Sequence, residues 1–169
     1  MLGTQELQAP KLEPALYVVA TPIGNLRDIS LRALETLAAA DLIACEDTRT
    51  SRTLMQRYGI TTRLISAHQH NEASAGERIA VDIGAGKAVA LISDAGTPAV
   101  SDPGQRLVQT VLAAGLTVVP LPGASAVLAA LVGSGLPTQG FAFLGFPERK
   151  REARRNQLLQ NRENYAGQT

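Results

Sequence analysis

Short apolar runs alternate along this chain with segments in which apolar residues recur at helical spacing. The runs carry no polar alternation, which is typical of strands buried on both faces of a parallel sheet. Five strands are predicted, at 16–20, 42–45, 63–67, 89–92 and 117–119. Because helical patterns separate the strands, the sequence predicts an α/β fold, a mostly parallel sheet with helices on both faces.

Glycine, proline and N-cap residues set the predicted limits of several helices. Gly59 is expected to end the second helix, and the third is expected over 77–83. Asp102 has the side chain of a good N-cap, and the ring of Pro103 suits a first helical position. These two residues therefore predict a fourth helix that runs to about Ala114.

Past Gly135 the pattern changes. A sixth strand is predicted at 141–146, and a charged helix is expected to open at Glu148. The chain is therefore divided into a polar leader at 1–14, an N-terminal α/β domain at 15–135 and the beginning of a second domain at 136–169.

The composition is that of a soluble globular protein. The 169 residues are 45% hydrophobic and carry a formal net charge of +1, so no general basic field marks nucleic-acid binding. Aromatic residues make up only 4%, which argues against a base-stacking platform. The single cysteine fits a reducing compartment, and no apolar run is long enough to cross a membrane. Because the first residues also lack the features of a signal peptide, a cytoplasmic location is expected.

The unusual polar segments all follow predicted strands. They are PIGN at 22–25, EDTR at 46–49, HQHNE at 68–72, SDAGTP at 93–98 and PGASA at 122–126. The carboxyl ends of parallel strands lie along one edge of a sheet, where open α/β sheets bind ligands. The sequence therefore predicts a small-molecule site at this edge, with Asp94 at the end of a central strand.

Other local patterns are weaker. Gly86 and Lys87 lack the remaining residues of a P-loop and are interpreted as a turn. His68 and His70 fall on one side of an extended segment, but no third ligand is suggested nearby, so no metal site is predicted. Cys45 lies within a strand and is interpreted as core.

The segments TPIGNL, LIACEDTR, HNE, LISDAGTPAVSDPG and VPLPGASA resemble, in this order, the tetrapyrrole methylase superfamily of S-adenosylmethionine enzymes. They are most similar to its branch that methylates ribosomal RNA. The resemblance implies a homodimer that holds S-adenosylmethionine between two domains and methylates a cytidine 2'-hydroxyl of 16S ribosomal RNA in the small ribosomal subunit. Two alternatives stay open: methylation of a tetrapyrrole precursor, and an inactive N-terminal fragment that only dimerises or binds cofactor.

The resemblance also implies roles for individual residues. It assigns cofactor contacts to Pro22, Gly24, Asp94, Gly96, Thr97, Ser125 and Ala126. It places Arg49, Asn71 and Glu72 on the substrate side. A ribose hydroxyl is a poor nucleophile and needs a general base, for which Glu46, Asp47 and His70 are equal candidates.

Two features depart from the family pattern. A motif of the GFLP type is one residue short here, at 145–147. The sequence also stops where the resemblance places most of the second domain, so a truncated domain and an incomplete cofactor pocket are expected. The basic cluster at 149–155 is either a contact for RNA phosphates or a solvated helix face.

Overall fold

The structure, a computed structural model, describes residues 9–69 and 71–165. The chain divides into two compact units, Met1–Ala124 and Ser125–Thr169. Residues 1–8 of the predicted leader lie outside the described residues, and the domain limits at 14 and 135 stay predictions. None of the described helices is long and apolar enough to span a bilayer.

The first unit alternates strands and helices, as the apolar pattern predicts. Its strands are β1 Leu16–Val19, β2 Leu42–Cys45, β3 Leu64–Ser66, β4 Val89–Ile92 and β5 Val118–Leu121. Its helices are α1 Leu31–Ala39, α2 Thr48–Tyr58, α3 Glu72–Gly84 and α4 Gln105–Ala113, with a 3-10 turn at Leu26–Asp28. The second unit contains α5 Ala126–Gly133 and α6 Arg151–Asn164.

The five strands form one parallel sheet in the order β3-β2-β4-β1-β5. This arrangement confirms the predicted α/β fold and puts β4 at the centre. The connections from β1 and β2 run toward one edge of the sheet, and those from β3 and β4 run toward the other. Since β2 and β4 are neighbours, their following loops diverge and open a crevice at their carboxyl ends.

Both faces of the sheet are buried, which explains the continuous apolar runs. One core cluster contains Tyr17, Val19, Ile43, Cys45, Ala90 and Ile92 from the strands, with Ala33, Leu37, Leu54 and Met55 from α1 and α2. The other contains Leu16, Val18, Leu42, Ala44, Val89 and Leu91, with Ala75, Ile79, Ile83, Leu107 and Val111 from α3 and α4. Successive strand residues alternate between the two clusters, as the period of two in a strand requires.

The fifth strand extends past its predicted end at residue 119 and includes Pro120. Proline has no amide to donate, but β5 is an edge strand that pairs only with β1, so the open side needs no donor. Just beyond the strand, a Cβ on Gly123 would lie 2.8 Å from the Cβ of Ala20. Glycine therefore lets the chain leave β5 close against the end of β1.

The third helix starts at Glu72, five residues before the predicted start at 77. The prediction began too late because Gly76 interrupts the apolar pattern. In the structure a Cβ on Gly76 would lie 3.3 Å from both Leu107 Cα and Thr110 Cβ. The glycine marks a close packing of α3 on α4 and not a helix end.

The predicted cap of the fourth helix is wrong. The helix starts at Gln105 with Gly104 as its N-cap residue, so neither Asp102 nor Pro103 has the predicted position. The physical reason is a carboxylate from α3, which occupies the free amides and is described with the site below.

The sixth strand predicted at 141–146 is also wrong. Residues 141–146 form neither helix nor strand. A strand needs a neighbour that accepts its backbone hydrogen bonds, and none of the described strands pairs with this segment. The charged helix that follows is present, starting at Arg151.

Candidate functional site

The parallel sheet brings the polar segments that follow β1, β2, β3 and β4 to its carboxyl edge, as predicted. The fifth segment crosses the division between the two units. Ser125 and Ala126 belong to the second unit, where the Ser125 Oγ accepts a hydrogen bond from the Leu128 amide at 3.4 Å at the start of α5. The cofactor-binding roles of these two residues stay predictions.

The loops after β2 and β4 meet at the crevice between these strands. The Asp47 amide donates a hydrogen bond to Asp94 Oδ1 at 3.3 Å, although the two residues are 47 positions apart in sequence. Asp94 is exposed at the end of the central strand. The EDTR and SDAGTP segments therefore form one site, at the switch point where α/β sheets bind ligands.

A group of carboxylates gives this crevice a negative potential. Burial raises the pKa of Glu46, and the negative charges of Asp94, Asp102 and Asp47 raise it further, against an opposing effect of His68. Burial followed by the charge of Asp94 also raises the pKa of Asp102. Asp102 thus belongs to the carboxylate group and not to a helix cap, and the group favours a cationic ligand.

Asp47 differs from its neighbours because it already has a cationic partner. It is the N-cap residue of α2, and its Oδ1 accepts from the Arg49 amide at 2.8 Å. The Arg49 guanidinium adds a contact of 2.7 Å to Oδ2. These hydrogen bonds lower the pKa of Asp47 to about 2. Asp47 is therefore ionised and engaged at neutral pH, which makes it a weak proton acceptor.

The loop after β1 is tied to the loop after β4. Thr21 and Gly96 form an antiparallel bridge, with amide-to-carbonyl distances of 2.8 and 3.1 Å. Gly96 has φ +84°, a conformation that favours glycine, and a Cβ there would lie 3.4 Å from Ile23 Cγ2. The bridge brings the Pro22–Gly24 turn beside Asp94 and Thr97. The five predicted cofactor residues of the first unit are thus near neighbours in the chain or across this bridge.

A cleft of about 220 Å³ opens between these loops and α2. Its lining comprises Thr21, Pro22, Leu26, Thr50, Ser51, Thr53, Leu54, Ile92, Ser93 and Asp94. Ser51 is buried beside Cys45. Burial raises the pKa of the Cys45 thiol, and a hydrogen bond with the Ser51 side chain partly offsets that rise. No sequence pattern predicts a role for Ser51, which lies just beyond the EDTR motif and matches no pattern of its own.

Glu72 has the helix-capping role at the start of α4 that the sequence predicted for Asp102. Its Oε1 accepts hydrogen bonds from the amides of Gly104, Arg106 and Leu107 at 2.8, 2.7 and 3.3 Å. The residue is only 7% exposed. A carboxylate at a helix N-terminus is favourable because the amides there lack partners and carry positive partial charge. Glu72 is therefore a helix-capping residue, and its role toward a substrate stays a prediction.

Asn71 has a similar local use. Its Oδ1 accepts from the His68 amide at 2.8 Å, and its Nδ2 donates to the Ser66 carbonyl at 3.1 Å. The side chain thereby closes the loop between β3 and α3. Substrate binding by Asn71 stays a prediction, and His70 lies outside the described residues.

A second, larger cleft of about 580 Å³ lies beside the capped loop. It is lined by Gln69, Glu72, Ala99, Ser101, Asp102, Pro103, Gln105 and Arg106. Ala99 and Ser101 have φ +68° and +56°, which is strained backbone for residues other than glycine. No sequence pattern predicts this strain. Among the described residues, no group of three or more His, Cys, Asp or Glu side chains is arranged to hold a metal ion.

Comparison with known proteins decides the family. A family model described as Tetrapyrrole (Corrin/Porphyrin) Methylases matches residues 15–166. This chain belongs to the tetrapyrrole methylase family. The match confirms the family resemblance predicted from the motifs.

Named relatives of this tetrapyrrole methylase are similar over most of its length. The Ribosomal RNA small subunit methyltransferase I of Mesorhizobium japonicum is 61% identical over 146 residues, which cover 86% of this chain and 50% of that protein. The protein of the same name from Escherichia coli O157:H7 is 48% identical over 154 residues, covering 91% and 54%. The chain spans about half the length of the curated relatives it matches.

Solved structures support the fold. Uroporphyrin-III-C-methyltransferase from Thermus thermophilus matches with a TM-score of 0.56 at 21% identity, over 73% of this chain and 53% of that chain. A diphthine synthase matches with a TM-score of 0.62 at 20% identity, over 76% and 51%. At such low identity these matches show a shared fold only.

Proposed function

We propose that this tetrapyrrole methylase acts in S-adenosylmethionine-dependent 2'-O-ribose methylation of a cytidine in 16S ribosomal RNA. The observation that carries the proposal is the 61% identity over 146 residues to a protein named for methylation of small-subunit ribosomal RNA. The grouping of the EDTR and SDAGTP segments at one crevice supports it. We further propose that the protein is cytoplasmic and works as a homodimer on the small ribosomal subunit.

The residues at the crevice fit the cofactor. When bound, S-adenosylmethionine supplies a methyl group on a positively charged sulfur. A nucleophilic oxygen bonds to the methyl carbon while the carbon–sulfur bond breaks and the neutral thioether leaves. Asp94 would hold a cation there by charge attraction. The Ser51 side chain lines the adjoining cleft and would hydrogen-bond a polar group of the cofactor. The Pro22–Gly24 turn, Gly96 and Thr97 would supply backbone contacts beside Asp94.

Glu46 is our candidate for the general base. A base works best when its pKa approaches the working pH, and the pKa of Glu46 is raised by burial and by its acidic neighbours. Asp47 has the opposite environment, because Arg49 lowers its pKa to about 2. Glu46 would accept the proton of the ribose 2'-hydroxyl as the oxygen attacks the methyl group. Arg49 would contact an RNA phosphate, since its side chain is 87% exposed.

The direct test is transfer of labelled methyl groups from S-adenosylmethionine to small ribosomal subunits that lack the modification. We expect label in 2'-O-methylcytidine after nuclease digestion of the 16S ribosomal RNA. Glu46→Gln is expected to lower kcat by about 10²–10⁴-fold while cofactor affinity changes little. Glu77→Gln, an exposed change on α3, is the matched control and should retain activity.

Two results would contradict the proposal for this chain. Labelling of a tetrapyrrole precursor but not of RNA would support the alternative activity. Binding of S-adenosylmethionine by a folded chain without transfer to either substrate would support a module that only binds the cofactor.

A further inference from the structure

The last helix of the second unit carries its arginines on one side. With about 3.6 residues per turn, positions 151, 154, 155, 158 and 162 of α6 fall within roughly 100° of the helix circumference. Four of these positions are arginine, and the fifth is leucine. We name Arg151, Arg154, Arg155 and Arg162 the basic stripe.

A neighbouring side of α6, centred about 110° from the middle of the basic stripe, packs within the second unit. Ala153, Gln157 and Asn161 are half-buried, whereas all members of the basic stripe are exposed. The Gln157 Oε1 accepts a hydrogen bond from the Glu148 amide at 2.9 Å, which fixes this orientation. The four arginines of the basic stripe are therefore open to solvent beside the packed side of the helix.

The charges of the basic stripe are not neutralised by neighbouring carboxylates. Across residues 9–69 and 71–165 the ion pairs are Arg49 with Asp47 and Lys87 with Asp82, and none involves α6. Glu152 lies three positions before Arg155, a spacing that allows a pair, but no pair forms. The two glutamates of α6, Glu152 and Glu163, are exposed but lie outside the roughly 100° arc of the basic stripe.

The stripe also has the shape and chemistry of a phosphate-binding surface. Its four arginines and the side chains of Leu158 and Leu159 line a groove of about 390 Å³. The guanidinium group binds phosphate through two parallel hydrogen bonds, which the lysine ammonium does not match. From position 151 to 162 the helix rises about 16 Å, enough to follow several phosphates of one strand.

We propose that the basic stripe of α6 is a contact surface for the sugar-phosphate backbone of RNA. The inference rests on the proposed function, because it supplies the means by which the second unit would hold the RNA substrate. Contact is made with phosphates and is independent of base sequence. An anionic membrane fits less well, because α6 exposes only two leucines and lacks the broad apolar face of a membrane-surface helix.

The test is binding of the full 169-residue chain to a fluorescein-labelled single-stranded RNA of 20 nucleotides, followed by fluorescence anisotropy between 50 and 200 mM salt. Each phosphate contact contributes about 0.7 to the slope of log K against log salt concentration. The variant Arg151→Gln/Arg154→Gln/Arg155→Gln/Arg162→Gln should therefore reduce that slope by roughly 3. It should also weaken binding on the order of 100-fold at 100 mM salt.

The matched control removes the same charge from exposed arginines of the first unit. It carries Arg32→Gln, Arg57→Gln, Arg63→Gln and Arg78→Gln, and it should keep most of the affinity and slope. Circular dichroism establishes that both variants are folded. An unchanged slope in the stripe variant, equal losses in both variants, or tighter binding to phosphatidylserine vesicles than to RNA would overturn the inference.

Methyl transfer is measured separately on the same proteins. If RNA binding depends on the basic stripe but no methyl group is transferred, the RNA-contact surface is supported and the proposed methyltransferase function is contradicted. If methyl transfer occurs while the stripe variant binds RNA normally, the inference about the RNA-contact surface is overturned and the proposed function is supported.

Discussion

The two units of this chain differ in what their apolar residues do. Every buried apolar side chain among the described residues lies between Ala15 and Leu121. The helices of the second unit have no buried residue, although α5 has the strongly apolar sequence AVLAALVG. Apolar composition is therefore a poor guide to burial by itself. The first unit buries its residues because two layers of helices cover a sheet, and the described part of the second unit, up to residue 165, contains no sheet.

The largest expected effect compares one leucine from each unit. Leu107 is fully buried between α4 and the sheet, whereas Leu128 on α5 is 53% exposed. Leu107→Ala should lower the free energy of unfolding by roughly 2–5 kcal/mol, because it leaves a cavity in a packed core. Leu128→Ala should change it by about 0.5 kcal/mol or less. Urea denaturation measures the unfolding free energies of both variants. Similar losses of stability in the two variants would contradict the difference in packing between the units.

The next comparison uses the two helix caps. Glu72→Ala removes the acceptor of three amides at the start of α4, two of them buried, and should cost roughly 2–4 kcal/mol of stability. Glu72→Gln keeps an oxygen acceptor and should cost clearly less. Ser125→Ala removes the long 3.4 Å cap of α5 and should cost about 0.5–1 kcal/mol, seen as faster hydrogen exchange in that helix. Equal effects of the alanine and glutamine variants would show that the carboxylate is not a cap.

The smallest effect depends on pH. The pKa of Glu46 is raised, so the folded protein holds this proton to higher pH than the unfolded chain does. Ionisation of Glu46 therefore lowers stability as the pH rises from the ordinary glutamate pKa through the raised one. Glu46→Gln should add about 0.5 kcal/mol or less at pH 7, because the side chain is partly exposed to solvent.

The stability gained from Glu46→Gln should disappear below about pH 4.3, the ordinary pKa of glutamate, where Glu46 is protonated in both the folded and the unfolded state. Glu152→Gln on α6, which changes an exposed carboxylate of the second unit, is the control. Urea titrations at pH 4 and pH 7 supply the comparison. A gain from Glu46→Gln that is equal at both pH values would contradict the assigned environment.

Local patterns predicted the first unit well because its elements are set by short-range signals. Continuous apolar runs identified all five strands, and Gly59 ends α2 with the positive φ of a helix C-cap. The shared sheet edge followed from parallel strands alone. The order of the strands did not follow, because pairing of β4 between β2 and β1 depends on contacts distant in sequence.

The errors have the same cause. Glu72 caps a helix that begins 33 residues later, and no local spacing indicates that hydrogen bond. Asp102 has the properties of a cap, but the carboxylate from α3 already occupies the amides. The apolar segment at 141–146 has the composition of a strand and no partner strand. Ser51 was missed because its importance arises from burial beside Asp94, which only the folded chain reveals.

The central claim is that the carboxyl edge of the first unit binds S-adenosylmethionine through its acidic crevice. Calorimetric titration of the 169-residue chain with this cofactor tests it most directly, alongside Asp94→Ala and the control Asp82→Ala. Asp82 is a surface carboxylate on α3 that pairs with Lys87 away from the crevice. We predict micromolar binding by the native chain and the control, and at least a roughly tenfold loss, about 1.4 kcal/mol, for Asp94→Ala. A folded native chain that does not bind, or an Asp94→Ala variant that binds equally well, would contradict the claim.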